Sequence, residues 1–245
     1  MTIKLYELTA AEDDRHFSPY CWRIRMALAH KGLAAETIPW RFNEKEAIAF
    51  SGSGTVPVLV DGVRTAKDRA SAVKDDARVV ADSWAIAQYL DQAYPDRPRL
   101  FGDEEARALT FFFKHWCERT LHAPILRAVI MDLYNGLHEK DKPYFRTSRE
   151  KRFGKTLEEV AADQAGAIAA LRSALDPLRP VLAEQPFVSG RAPGFADYIL
   201  FGAFQWPRVV SPVKLLVPDD PVYAWREHLL DLHDGLARKA KGYPV

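Results

Sequence analysis

Ser18-Pro19 constrains the fold of this chain more than any other pair of its residues. It separates an apolar run at residues 3–8 from a stretch in which Tyr20, Ile24, Ala27 and Leu28 recur at helical spacing. Serine is a favoured N-cap, because its hydroxyl accepts a backbone N–H of the first turn. Proline suits the first helical position, where its missing N–H is one the helix leaves unpaired anyway. Lys31-Gly32 then ends the helix with a basic last turn and a glycine beyond it. A second strand is predicted at 36–40. Strand, helix and strand in this order predict a parallel pair joined by a right-handed crossover.

The next segment continues the α/β pattern. A short helix is predicted over 44–50, then turns at Ser51-Gly52-Ser53-Gly54 and a strand over 56–60 ended by Asp61-Gly62. Pro57 would remove a ladder donor from that strand, so an edge position or a cis Val56–Pro57 bond is expected. Residues 79–81 supply a fourth strand, and Asp82-Ser83 opens a helix over 84–93. The charged, small-residue insert at 63–78 is read as an exposed loop or a short surface helix.

The pattern breaks at Tyr94-Pro95-Asp96-Arg97-Pro98-Arg99, which reads as a linker, and from residue 103 the sequence is helical almost throughout. Leu109, Phe112, Phe113, Trp116 and Thr120 form one stripe, and Pro124 should kink or end that helix. One or two helices are predicted over 157–182, interrupted near Pro177. Further helices are predicted at 194–206 and 222–239. The expected division is a first domain over 1–95, a linker over 96–103 and an all-helical domain over 104–245.

Composition narrows the partners. The 245 residues carry 34 Lys+Arg against 33 Asp+Glu, a formal net charge of +1, so nucleic acid and acidic membrane are poor partners. The N-terminal residues read as a strand rather than a signal peptide. Two cysteines, Cys21 and Cys117, offer neither a disulfide framework nor metal-ligand spacing. A reduced, cytoplasmic setting without a metal is expected.

Four motifs together resemble the soluble glutathione transferase superfamily: Ser18-Pro19-Tyr20-Cys21-Trp22-Arg23, Thr55-Val56-Pro57-Val58-Leu59, Asp82-Ser83, and Gly194-Phe195-Ala196-Asp197-Tyr198. The first looks like a thioredoxin-type active-site turn with serine in place of the attacking cysteine. The stretch Asp82-Ser83-Trp84 through Tyr94-Pro95-Asp96-Arg97-Pro98 looks like the bacterial β-etherase-type branch and its fungal relatives. The resemblance implies a thioredoxin-like N-terminal domain (βαβ-α-ββα), an all-helical C-terminal domain and a homodimer. Two departures stand out: the insert at 63–78, and Gly194 where Ser or Thr is usual in the helix-capping motif. There Asp197 can still accept the N-cap amide.

The chemistry of these residues agrees with that implication. A hydroxyl at a helix N-terminus can donate to a thiolate, and the helix dipole favours negative charge there, so Ser18 is the expected catalytic residue. The resemblance places Tyr20, Lys45, Val56, Pro57, Asp82 and Ser83 around glutathione, the co-substrate. The Val56 backbone would pair with the cysteinyl unit, Asp82-Ser83 would hold the γ-glutamyl end, and Lys45 would reach the glycyl carboxylate. His115, Trp116, Arg119 and His122, on the first long helices of the second half, are candidates for the pocket of a hydrophobic, aromatic electrophile. The resemblance to the β-etherase-type branch implies cleavage of a β-aryl ether as the specific reaction. Two other readings are a glutathione-dependent thiol oxidoreductase using Cys21 and a non-catalytic module that binds aromatic ligands.

Overall fold

The computed structural model describes residues 3–62 and 77–244. Its first half is one four-stranded sheet in the order β2-β1-β3-β4. β1 (Ile3–Leu8) pairs parallel with β2 (Ala35–Trp40) across the crossover helix α1 (Pro19–His30). β3 (Val58–Asp61) pairs antiparallel with both β1 and β4 (Arg78–Ala81). A 3-10 helix at Lys45–Ser51 precedes β3, and α2 (Ser83–Ala93) follows β4. This is the predicted α/β arrangement. Pro57 lies one residue before β3, and the Val56–Pro57 bond is cis, so no ladder donor is lost. The expectation for the insert falls on residues 63–76, outside the described residues, and β4 already begins at Arg78.

The second half is helical: α3 (Glu104–Thr120), α4 (His122–Gly136), α5 (Lys142–Phe153), α6 (Leu157–Ala161), α7 (Gln164–Ala174), α8 (Leu178–Glu184), α9 (Phe195–Val210) and α10 (Pro221–Lys239). Pro124, which lacks the N–H that would bond back to Thr120, sits in the first turn of α4, and α3 ends at Thr120. Residues 157–184 hold three helices rather than one or two. The backbone of α10 leaves helical values over residues 232–235.

α9 is the axis of the molecule, with every residue buried. Asp197 pins its start by accepting from the N–H groups of Gly194 at 3.1 Å, Val188 at 2.7 Å and Ser189 at 3.1 Å, and from Trp225 Nε1 at 3.0 Å. A Cβ at Gly194 would lie 2.7 Å from Ser189 Oγ, so a side chain there would require Ser189 to turn aside. Further along, a Cβ on Gly202 would lie 2.3 Å from the carbonyl oxygen of Pro19. The bare backbone at Gly202 therefore lets α9 press directly on the first turn of α1, the turn that carries Ser18.

Candidate functional site

A cavity of about 670 Å³ lies between the sheet half and the helical half. Ser18, Tyr20, Lys45, Val56, Pro57, Asp82, Ser83 and His122 all line it. The sequence placed these residues across 105 positions, and the fold brings them to one opening.

Ser18 caps α1 from an extended backbone, and its Oγ accepts the Cys21 N–H at 3.3 Å. The Ser18 hydroxyl also hydrogen-bonds the Cys21 side chain, and it lines the cavity beside the positive end of the helix dipole. Cys21, one turn on, is fully buried and does not line the cavity. Burial and the nearby Glu7 carboxylate push its thiol up to about 12. A thiol so placed is a packing group.

Asp82 holds the opposite side. Its φ of +78° is rare for a residue with a Cβ, and its carboxylate caps α2 by accepting the Trp84 and Ala85 N–H groups at 2.9 and 3.1 Å. This orientation turns the first turn of α2 toward the cavity. Ser83 Oγ is buried there without a hydrogen-bond partner. Neither the N–H nor the C=O of Val56 takes part in a hydrogen bond among the described residues. Ser83 Oγ and the Val56 amide are thus open polar groups of the kind a peptide ligand with a carboxylate would satisfy, and they fit glutathione. Lys45 stands at the rim, its Nζ 5.5 Å from the Tyr144 ring centroid.

The helical wall is built mainly by residues the sequence did not single out. Tyr144 and Phe145 of α5 form its aromatic side, joined by Phe42 from the segment after β2, and Arg149 Cζ stacks 4.7 Å over Phe145. Lys114 and Glu118 of α3 also face inward, with Glu118 bridging Lys114 at 3.1 Å and the buried Arg23 at 2.6 Å. His115, Trp116 and Arg119 do not line the cavity. His115 packs on Phe111 at 4.6 Å, Trp116 stacks on Phe113 at 5.4 Å, and Arg119 is exposed. The difference is one residue in register, about 100° of rotation around a helix. The stripe on α3 turns the same way, leaving Leu109 and Phe112 each 70% exposed.

Trp206 of α9 lines the cavity together with His122, their ring centroids 5.9 Å apart. Tyr20 packs edge-on against His122 at 5.6 Å. Burial, with Arg23, Arg152 and Lys114 nearby, lowers the His122 imidazole to about 3, against the opposing pull of Glu118, so the ring is neutral at ordinary pH. Among the described residues no group of His, Cys, Asp and Glu could hold a metal ion, and no helix is long and apolar enough to cross a membrane.

The family model of the glutathione S-transferase N-terminal domain matches residues 17–93, and that of the C-terminal domain matches residues 108–215. Glutathione S-transferase Z1 of Arabidopsis thaliana is 37% identical over 94 residues, 36% of this chain and 36% of that protein. The match thus spans little more than a third of the length of such curated relatives. Among solved structures, the glutathione transferase GSTFuA3 from Phanerochaete chrysosporium superimposes with a TM-score of 0.79 at 27% identity, covering 94% of this chain and 96% of that one. A glutathione S-transferase of Ceriporiopsis subvermispora, solved in complex with glutathione, gives a TM-score of 0.77 at 22% identity over 96% and 97% of the two chains, a likeness of fold.

Proposed function

Since this chain belongs to the glutathione S-transferase family, we propose that it is a glutathione transferase in which Ser18 stabilises the glutathione thiolate for attack on a hydrophobic, aromatic electrophile. The observation that carries this reading is that one cavity gathers these groups. One wall offers a capping hydroxyl, an open backbone amide and an orphaned serine hydroxyl; the facing wall is aromatic.

Glutathione's thiol, near 8.5 when free, is mostly protonated at neutral pH. At the N-terminus of α1 the Ser18 O–H donates to the sulfur, and the helix dipole adds to that preference for the anion. Ser83 and Asp82 take the amino-acid end of the γ-glutamyl group, Val56 the cysteinyl backbone, and Lys45 the glycyl carboxylate. The electrophile then lies against Phe42, Tyr144, Phe145 and Trp206. Cleavage of an aryl ether suits this wall, with the sulfur displacing a phenol from carbon. A homodimer would bury the outward Leu109 and Phe112 of α3, and sedimentation of Phe112→Lys against the parent chain reads this out.

Ser18→Ala is the direct test. Loss of one preorganised donor to a developing anion costs about 10²-fold in turnover. The apparent pKa of bound glutathione, followed by thiolate absorbance, should rise at the same time. Unchanged turnover together with an unchanged thiol pKa would remove Ser18 from the reaction.

A further inference from the structure

The wall of the cavity holds two polar atoms that the chain itself does not satisfy. His122 Nε2 and Trp206 Nε1 are both without a hydrogen-bond partner. Their residues are 8% and 7% exposed, and both line the cavity. They come from different helices, α4 and α9, and meet ring against ring. An orphaned buried N–H costs stability unless something returns the bond. Leu126 and Leu133 of α4 and the ring of Tyr20 line the same cavity. The two atoms make a polar notch in a wall that also carries aromatic rings.

Indole Nε1 can only donate, so a ligand filling the notch must present an acceptor to Trp206. The imidazole is neutral, and Nε2 accepts in one tautomer and donates in the other. A hydroxyl oxygen answers both demands. It accepts from Trp206 and either donates to His122 Nε2 or accepts from it. A hydrocarbon answers neither and leaves both atoms orphaned. Charge here is also one-sided: Arg23, Arg152 and Lys114 face His122 against the single carboxylate of Glu118. That field favours an oxygen carrying partial negative charge.

We propose that His122 and Trp206 form a specificity notch for a phenolic oxygen, so that the aromatic co-substrate, or the aryl group it releases, is oxygenated at the end of the ring that meets these two side chains. The inference rests on the transferase reading for the word co-substrate, and deepens it. His122 and Trp206 thereby touch the aromatic ligand and not the glutathione sulfur, which lies with Ser18 on the other wall.

The test compares two ligands of nearly the same shape, 4-methylphenol and 1,4-dimethylbenzene, by ligand-observed NMR titration of the full chain, each affinity corrected for the ligand's own partitioning out of water. The wild-type chain should prefer the phenol at least tenfold, because a site built to bond a hydroxyl rejects the analogue lacking it. Trp206→Phe, which removes the indole N–H together with one ring of the indole, and His122→Phe should each lower that preference several-fold. The affinity for glutathione, titrated separately by calorimetry, should stay unchanged in both variants. Circular dichroism checks that each variant is folded, and the wild-type preference stands as a test should either fail to fold. No phenol preference in a wild-type chain that binds glutathione overturns the notch alone. So does a preference that survives both substitutions. A phenol preference that depends on His122 and Trp206, in a chain that does not bind glutathione, sustains the notch and overturns the transferase reading instead.

Discussion

At the C-terminal end of α1, the fully buried Lys31 Nζ meets Asp91 at 2.7 Å and donates to the carbonyl oxygens of Pro98 at 3.1 Å and Tyr94 at 3.3 Å. Asp91 in turn accepts the N–H groups of Leu100 and Phe101. Beside it, His30 donates from Nε2 to the Arg99 carbonyl at 3.0 Å and accepts the Tyr198 hydroxyl on Nδ1 at 2.7 Å. At the N-terminal end the buried polar atoms around the cavity are left open: Ser83 Oγ, His122 Nε2 and Trp206 Nε1. The same helix thus ends once in a closed network that ties the linker to both halves and once in a set of unmet bonds. Closed networks hold a fold together; unmet ones at a cavity wait for a ligand, and they lower the stability of the empty protein.

Breaking the closed end should cost most. Lys31→Met leaves Asp91 without its cation and removes three bonds, and loss of one partner of a buried pair typically costs about 3–5 kcal/mol. Urea unfolding should show that loss, while the folded fraction keeps its affinity for glutathione. A cost below about 1 kcal/mol would mean that the network is dispensable.

The second effect is one of pH. Burial raises the Glu7 carboxyl from 4.5 to about 7, despite Arg25 Nη1 at 3.6 Å. A carboxyl with a higher pKa folded than unfolded holds its proton more tightly when folded. Its contribution to stability is therefore full below about 4.5 and is lost as pH rises toward 7. At 1.36 kcal/mol per pKa unit the loss is roughly 3 kcal/mol. Neighbouring His16, lowered by burial to about 4, acts in the opposite sense and costs stability as pH falls below 6.5. Glu7→Gln fixes the neutral form, so its unfolding free energy should not decline between pH 5 and pH 8 as that of the parent does. Parallel pH profiles for the two chains would contradict this account of Glu7.

Gly202→Ala probes how the open end is positioned. The added methyl meets the backbone oxygen of Pro19, which has no rotamer to yield, and overpacking of this kind costs about 1–3 kcal/mol. Because Pro19 follows Ser18, turnover should fall with stability; retention of full activity would show that the first turn of α1 adjusts freely.

The smallest effect belongs to Ser83→Ala. Removing an orphaned hydroxyl costs the empty protein nothing, since no bond is lost, and chemical denaturation should show equal or slightly higher stability. Glutathione affinity should drop about tenfold, the worth of one hydrogen bond to a charged group. A loss of stability without a change in affinity would place Ser83 in the closed class.

Much of this was legible in the residues. Ser18-Pro19 predicted the start of α1, Lys31-Gly32 its end, and the strand–helix–strand order the parallel pair. Those signals are local: a cap, a proline and a glycine act within a few residues of themselves. The cavity's first wall was also legible, because Ser18, Val56 and Ser83 sit at element boundaries that the sequence marks. Its second wall was not. The choice of His115 and Arg119 over Lys114 and Glu118 missed by one position, since periodicity gives the existence of a helical face but not the neighbour it meets. Trp206 lies in a helix apolar on every side, where no pattern distinguishes a ring in the core from one at a cavity. A signal for α5 was present in Phe153-Gly154, a helix stop, but nothing in it said that Tyr144 and Arg149 would turn inward.

By itself the sequence determined the order of elements, the serine at the helix start in place of a thiol, and a formal net charge of only +1. Only the tertiary structure decided that Cys21 is sealed off, that Gly202 lets α9 rest on Pro19, and that His122 and Trp206 share one unsatisfied notch. The physical reason is range. Capping, turn chemistry and periodicity are set by neighbours in the chain, whereas burial, an orphaned hydrogen bond and the local field depend on residues that become neighbours only after the sheet and the helices have packed.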